Sequence, residues 1–233
     1  MDNKIFEERL KQSATEFAAV VPFEKNDRLA LMDFTEKNTD LTSDILDNTD
    51  LFIRYINAKL KQENAKYGIG GYNENRVIYS RSRHFDAVTG AEPRRLHLGI
   101  DIWGKPYTKV MTPLNGIVHS FAFNNAFGDY GTTIIITHNL DGMTFHTLYG
   151  HLSLNSIKNM QEGDVVRKGD VIAEFGIPFE NGHWPPHLHF QIIINMEGMK
   201  GDYPGVCALS KRDKYLNNCP DPDLILGMMK YAK

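Results

Sequence analysis

Apolar positions divide the chain into two regimes. Over residues 3 to about 21, Phe6, Leu10, Ala14, Phe17 and Val21 recur at steps of three and four, which places them on one helical face, and Pro22 bars continuation. This spacing predicts a helix over 3–21. Phe52, Ile53, Ile56 and Leu60 repeat the pattern and predict a second helix over about 50–66, with Gly68 as its stop. DFTEKNTDLTSD, lying between them, reads as a solvated loop carrying helix-capping Thr and Asp residues. Residues 1–75 are therefore expected to form a helical N-terminal extension.

After about residue 76 the pattern changes to short runs of Val, Ile, Thr, Phe and Tyr broken by Gly, Pro and Asn, as in successive strands. Strands are predicted at 109–112, 116–123, 132–138, 143–149, 171–175 and 187–195. Asp141-Gly142 falls between two of these runs and predicts a tight antiparallel hairpin, because both residue types tolerate positive φ. QEGDVVRKGDVIAEFG reads as a small β element turned by Gly163 and Gly169. Lys168 lacks the apolar flanks that a lipoyl or biotinyl attachment lysine has. The expected class is α+β, with a mostly antiparallel β core over 76–233 that includes a C-terminal tail.

Composition narrows the partners. With 233 residues, of which 42% are hydrophobic, the chain is long enough for a sizeable core. A net charge of −3 gives no broad positive surface for nucleic acid. No run of eighteen apolar residues is present, so no membrane-spanning helix is expected. MDNKIFEERLKQSATEFAAVV lacks the pattern of a secretion signal, so the sequence reads as cytoplasmic as it stands, with the periplasm or exterior reached only by another export route. Cys207 and Cys219, twelve apart, lack C-x-x-C spacing and read as buried free thiols, since a disulfide would need an oxidising compartment.

Candidate chemistry lies in three histidine-bearing stretches. In HWPPHLHFQI, strand alternation puts His187, His189 and Gln191 on one face and Leu188, Phe190 and Ile192 on the other. Pro185 and Pro186 cannot donate to a ladder, so the strand is expected to begin at His187. In LHLGID, His97 and Asp101 are four apart, about 13 Å if fully extended at about 3.3 Å per residue. The chain must bend for them to share an ion, and Gly99 permits it. In YGHLS, Tyr149 and His151 are expected on one strand face. Together these stretches provide two histidines and a carboxylate for a cation, plus two further histidines. That is the composition of a catalytic zinc centre with three protein ligands and an open position for water. Two histidines and a carboxylate also make the facial triad of a non-haem iron oxygenase, against which the surplus histidines argue. A carbonic-anhydrase-like site needs a third His ligand, and a cupin-like site usually a Glu where Gln191 stands.

Taken in order, His97-Leu-Gly99-Ile-Asp101, GDYGTTIIITHNLDGMTFHTLYGHLS, GDVVRKGDVIAEFG and HLHF resemble the lysostaphin-type zinc metalloendopeptidases, over about residues 94–195. The resemblance implies a mostly antiparallel fold with a long groove and barrel-sandwich hybrid features. It implies one Zn²⁺ held by His97, Asp101 and His189, with His151 and His187 flanking the attacking water. It also implies hydrolysis of peptide bonds in the stem peptides or cross-bridges of bacterial peptidoglycan, the groove reading an extended peptide through its backbone. Departures are Trp184-Pro185-Pro186, where many relatives have Gly, Thr or Ser, and Gln191, where Glu is frequent. They bear on substrate preference and leave the ligands intact. A non-catalytic zinc-binding regulator or binding module is the rival, and the complete set of five site residues argues against it.

Of the remaining histidines, His84, His119, His138 and His146 read as structural or solvated, His183 as lining the groove with Trp184, and Tyr149 as packing. The extension is also long enough to act as a lid, with Asp33 or Asn38 reaching the open coordination position, in which case deleting 1–70 raises activity.

Overall fold

Two short apolar segments of the N-terminal region enter the main sheet. The computed structural model describes residues 3–86 and 91–233. Five helices, α1 (Asn3–Gln12), α2 (Ser43–Asp47), α3 (Thr49–Gln62), α4 (Arg212–Asn218) and α5 (Asp223–Leu226), surround strands β1 (Leu29–Leu31), β2 (Tyr67–Gly70), β3 (Arg94–His97), β4 (Ile100–Trp103), β5 (Lys109–Met111), β6 (Gly116–Asn124), β7 (Gly131–Leu140), β8 (Met143–Leu152), β9 (Val165–Val166), β10 (Val171–Glu174), β11 (His187–Ile193) and β12 (Val206–Ala208). Eight strands form one sheet in the order β1-β2-β4-β11-β8-β7-β6-β9, and β5/β10 and β3/β12 form two small pairs. Among the described residues only β1 and β2 pair in parallel; the other strand pairs are antiparallel. The expected mostly antiparallel α+β architecture is present.

The sheet follows the sequence pattern closely on its central strands. Asp141 and Gly142 have φ of 50° and 84°, and they turn β7 into β8 with Leu140 opposite Met143. Ile134, Ile136, Tyr149, Leu188, Phe190 and Ile192 share one buried cluster, onto which α1 packs Phe6 and Leu10. Phe6 sits 5.1 Å from Phe145, ring to ring. Fully burying each such side chain contributes roughly 1.5–3 kcal/mol.

The N-terminal region departs from expectation in three places. The first helix stops at Gln12 instead of 21. Beyond it the backbone bonds go to the β5 region, Ala18 N–H to Pro113 and Met111 N–H to Val20, so buried Val20 and Val21 extend the sheet side of the core. β-branched residues directly before a proline suit that extended path better than a helix end. The second helix ends at Gln62, capped by Glu63 and followed by Asn64 at φ 48°, whereas Gly68 lies within β2 against Met32. The loop between them is only partly solvated: Phe34 is fully buried, Thr42 caps α2, and Asn48 caps α3. The extension is thus helical but also supplies β1 and β2, and β2 hydrogen-bonds directly to β4.

Cys207 and Cys219 are both buried and free, as expected. Among the described residues no helix is long and apolar enough to cross a membrane.

Candidate metal centre

Register brings the three histidine stretches together. β11 begins at His187, directly after Pro186, and lies between β4 and β8. His189 stands opposite Asp101 on one side and Gly150 on the other, and His187 stands opposite Trp103. His97 ends β3, and the chain turns through Leu98-Gly99 into β4. Gly99 is needed for closeness: a methyl there would stand 2.5 Å from His189 Cε1 and 2.8 Å from the Phe190 carbonyl oxygen. His97, Asp101 and His189 each place a ligand atom within 4.8 Å of the others, and all three are buried.

Hydrogen bonds on the outer sides of the rings fix which nitrogens face inward. His97 Nδ1–H donates to Gly71 O at 3.0 Å, so Nε2 is its bare nitrogen. His189 Nε2–H donates to Gln191 Oε1 at 2.9 Å, which leaves Nδ1 bare. Gln191 is itself held, its amide donating to Pro204 O and Cys219 Sγ. The two bare nitrogens lie 2.8 Å apart, and Asp101 Oδ1 lies 3.1 Å from His189 Nδ1 and 3.3 Å from His97 Nε2. Three electron-pair donors converging without a proton between them repel one another unless a cation joins them, and two imidazoles with a carboxylate suit a borderline-soft dication such as zinc. The donor set fits the metal that the resemblance implies.

His151 and His187 stand beside this cluster with matching arrangements. His187 Nδ1–H donates to Pro185 O at 2.7 Å, and His151 Nδ1–H donates to Asn181 O at 2.8 Å, so each keeps Nε2 as its unprotonated nitrogen. Their rings are 4.1 Å apart, and His187 Nε2 is 4.0 Å from Asp101 Oδ1. Trp103 stacks on His187 at 3.9 Å, which fixes the ring plane. Burial lowers the His187 pKa to about 4 and that of His151 well below its ordinary value, the second also through His187 and His189. Both are therefore neutral near pH 7.

The carboxylate behaves oppositely. Burial favours the neutral acid, but the surroundings, the Arg76 guanidinium foremost among the fixed charges, outweigh it and hold Asp101 well below the usual carboxylate range. Arg76 is fully buried, pairs with Asp101 Oδ2, and bonds Glu74 Oε2 at 2.7 Å.

All five expected site residues meet in one place. Tyr149 does not join them: it lies opposite Phe190 in the apolar core, as its packing role requires. Simple alternation would put His151 there too, but His151 has φ 63°, which turns its ring to the metal side. His183 is a second correction. It is exposed, at φ 68°, and stacks on Phe127, while Trp184 alone lines the cavity. Asp33 and Asn38 are also elsewhere, in a separate pocket, where Asp33 Oδ1 accepts from Thr35 N–H and the Asn38 amide donates to Asp33 O and the Tyr55 hydroxyl. His138 is structural, bonded through both nitrogens.

Sequence reasoning missed Arg76 and Tyr130. The Tyr130 hydroxyl is 3.4 Å from His189 Nε2, its ring 5.6 Å from that of His151, and burial, with Asp202, keeps the phenol protonated. Its one signal was a tyrosine between glycines in GDYG; Arg76 had only the Gly70-Gly71 doublet upstream.

At this centre the groove takes the form of a cavity of about 120 Å³. The turns at 77–81 and 83–85 cross it, Tyr79 lying 6.2 Å from His97 and 6.1 Å from Trp184, ring to ring.

An antiparallel sheet here carries a His/Asp/His cluster that could hold a metal ion, flanked by two neutral imidazoles. Residues 95–200, a little under half of the chain, match the profile of Peptidase family M23. Similar solved structures include a zinc-containing peptidase from Vibrio cholerae, 27% identical, covering 42% of this chain and 27% of that one with a TM-score of 0.34. The catalytic domain of the antimicrobial peptidase lysostaphin from Staphylococcus simulans is 22% identical, covering 70% of this chain and 96% of that one with a TM-score of 0.42. The catalytic domain of the prophage-encoded M23 protein EnpA from Enterococcus faecalis is 18% identical, covering 58% and 88% with a TM-score of 0.39. The chain thus spans about a quarter of the Vibrio cholerae peptidase. No curated protein sequence matches it.

Proposed function

We propose that this protein is a zinc-dependent endopeptidase acting on the stem peptides or cross-bridges of bacterial peptidoglycan. The observation that carries the reading is the convergence of three bare donor atoms, from His97, Asp101 and His189, beside two neutral imidazoles whose tautomers are already set. A zinc ion held by those three residues would supply Lewis acidity and a water of pKa near about 7. His151 and His187 present unprotonated Nε2 atoms, so with the ion bound one of them would be placed to take the proton of the attacking water and, as imidazolium, to pass it to the leaving amine. Backbone carbonyls of Asn181 and Pro185 stabilise the imidazolium through Nδ1–H in each case. Tyr130, kept protonated, has a hydroxyl to donate to the developing oxyanion.

Substrate class follows from the walls. Tyr79, Phe85 and Trp184 make them aromatic, Asp129 and Asp202 add acidic groups, and the small volume favours small residues beside the scissile bond. The test is digestion of defined muropeptides and short peptides by zinc-loaded protein, with product masses recorded. His151→Ala is expected to abolish hydrolysis, by about 10²–10⁴-fold, while bound zinc stays near one equivalent. Loss of zinc in that variant would refute its non-ligand role. Full occupancy in the unmodified protein with no cleavage of any fragment would favour the binding-module reading.

A further inference from the structure

We propose that Arg76 is a positioning residue for the metal centre: it holds Asp101 by Oδ2, so that Oδ1 alone is presented to the ion. The role rests on the zinc reading above and extends it to a residue outside the matched segment 95–200.

The two carboxylate oxygens have different surroundings. Oδ1 faces the three imidazoles, 3.1 Å from His189 Nδ1, 3.3 Å from His97 Nε2 and 4.0 Å from His187 Nε2. Oδ2 is taken by Arg76 Nη1. Nothing about Arg76 is free to wander. Nε donates to Glu74 Oε2 at 2.7 Å, Nη2 donates to Gly70 O at 3.1 Å, and the guanidinium lies 5.1 Å from the Phe34 ring. A methyl at Gly71 would overlap the guanidinium, so the slot exists because that position is glycine. Gly70 stands opposite Asp101 in the β2/β4 register, which ties the donor of the slot to the strand that bears the ligand.

A carboxylate with both oxygens free closes on a dication through one or two atoms. With Oδ2 committed to Arg76 Nη1, only Oδ1 would be available to a bound ion. The guanidinium also draws charge from the carboxylate, which would leave a bound ion a stronger Lewis acid than an unpaired Asp would.

The test uses the full chain loaded with zinc or with Co²⁺, whose visible absorption reports coordination. Arg76→Met is expected to weaken zinc binding, measured by chelator competition, by about tenfold and to change the position and intensity of the cobalt bands. Arg76→Lys, which keeps the charge and one donor, is expected to stay near the unmodified protein in both. Should Arg76→Met fail to fold, Glu74→Gln loosens Arg76 from a partly exposed partner and is expected to move the cobalt bands the same way by less. An arginine that only stabilises the fold would lower the melting temperature of these variants and leave zinc affinity and cobalt spectrum unmoved, and that result overturns the proposal. If the unmodified protein takes up neither ion, the zinc reading falls and this role with it; if it takes up one equivalent and the variants match it, this role alone falls.

Discussion

The same sheet buries histidines in two ways. On β7, His138 is completed by neutral partners: Nδ1–H donates to Asn115 O at 2.9 Å, and Nε2 meets Thr147 Oγ1 at 2.8 Å. Thr147 Oγ1 is in turn 3.0 Å from the Tyr149 hydroxyl, so a short polar chain closes on itself inside the core. Around β11, His151, His187 and His189 of the sheet and His97 of the neighbouring β3 each have one nitrogen tied to an acceptor and the other left bare. Burial depth does not separate the groups, since His138 is 1% exposed and His189 2%. Hydrogen bonding does. A finished imidazole is a packing element, whereas several unfinished ones aimed at one point leave donor atoms in the core that only a further partner completes.

The largest expected effect comes from breaking the unfinished side. His189→Gln removes a donor of similar size and is expected to bring bound zinc close to zero and lower kcat/KM by about 10⁴-fold, the several kcal/mol a metal centre contributes. Because the metal-free protein crowds two lone pairs there, its melting temperature should fall little. A variant that keeps a full equivalent of zinc would remove His189 from the ligand set.

His138→Gln addresses the finished side and should be a smaller, pH-dependent change. Burial lowers the His138 pKa to about 4, against about 6.5 in an unfolded chain. Between those values the unfolded state binds the extra proton, so stability falls as pH drops from about 6.5 toward 4, by up to about 3 kcal/mol. Above pH 6.5 this contribution is fully present. Replacing the ring by an amide removes the titration, so the variant should lose about 1 kcal/mol at pH 7 yet show a flatter acid limb in urea midpoints, with zinc binding unchanged. Parallel limbs for both proteins would mean that His138 titrates alike in the folded and unfolded chain and that the contrast between the two groups is false.

Legibility in the sequence followed distance along the chain. Strands with their own alternation, such as β7, β8 and β11, were readable, and so was the start of β11 at the proline pair. The five converging residues were readable because each carried a local histidine motif, and Gly99 announced the bend. What failed needed long-range information. β2, Tyr67–Gly70, has two glycines and is buried along its whole length, so it showed no alternation and read as the end of a helix. The face of His151 depended on a positive φ that no pattern encodes, and Arg76 became part of the site only through β2 pairing with β4. Thr35, Asn38 and Asp33 satisfied one another instead of reaching the metal, because an Asp-x-Thr turn finds local partners first.

The smallest effect sharpens the same contrast with one substitution made twice. Gly142 has φ 84° and open space around its missing side chain, whereas Gly99 has a metal-site ring and a backbone carbonyl where a methyl would go. Gly142→Ala therefore carries only the conformational strain of a left-handed residue, about 1–2 kcal/mol, partly offset by a less flexible unfolded chain. Its melting temperature should drop by a few degrees with zinc affinity and peptide hydrolysis intact. Gly99→Ala, chemically identical, must push His189 away from Asp101 or part β4 from β11, so zinc affinity should fall more steeply than stability. Measuring both variants by thermal melting and chelator competition separates the two kinds of glycine: equal zinc loss in both would mean the hairpin and the metal centre are coupled through the sheet, and no zinc loss at Gly99→Ala would show that the close approach of His189 is not what the site requires.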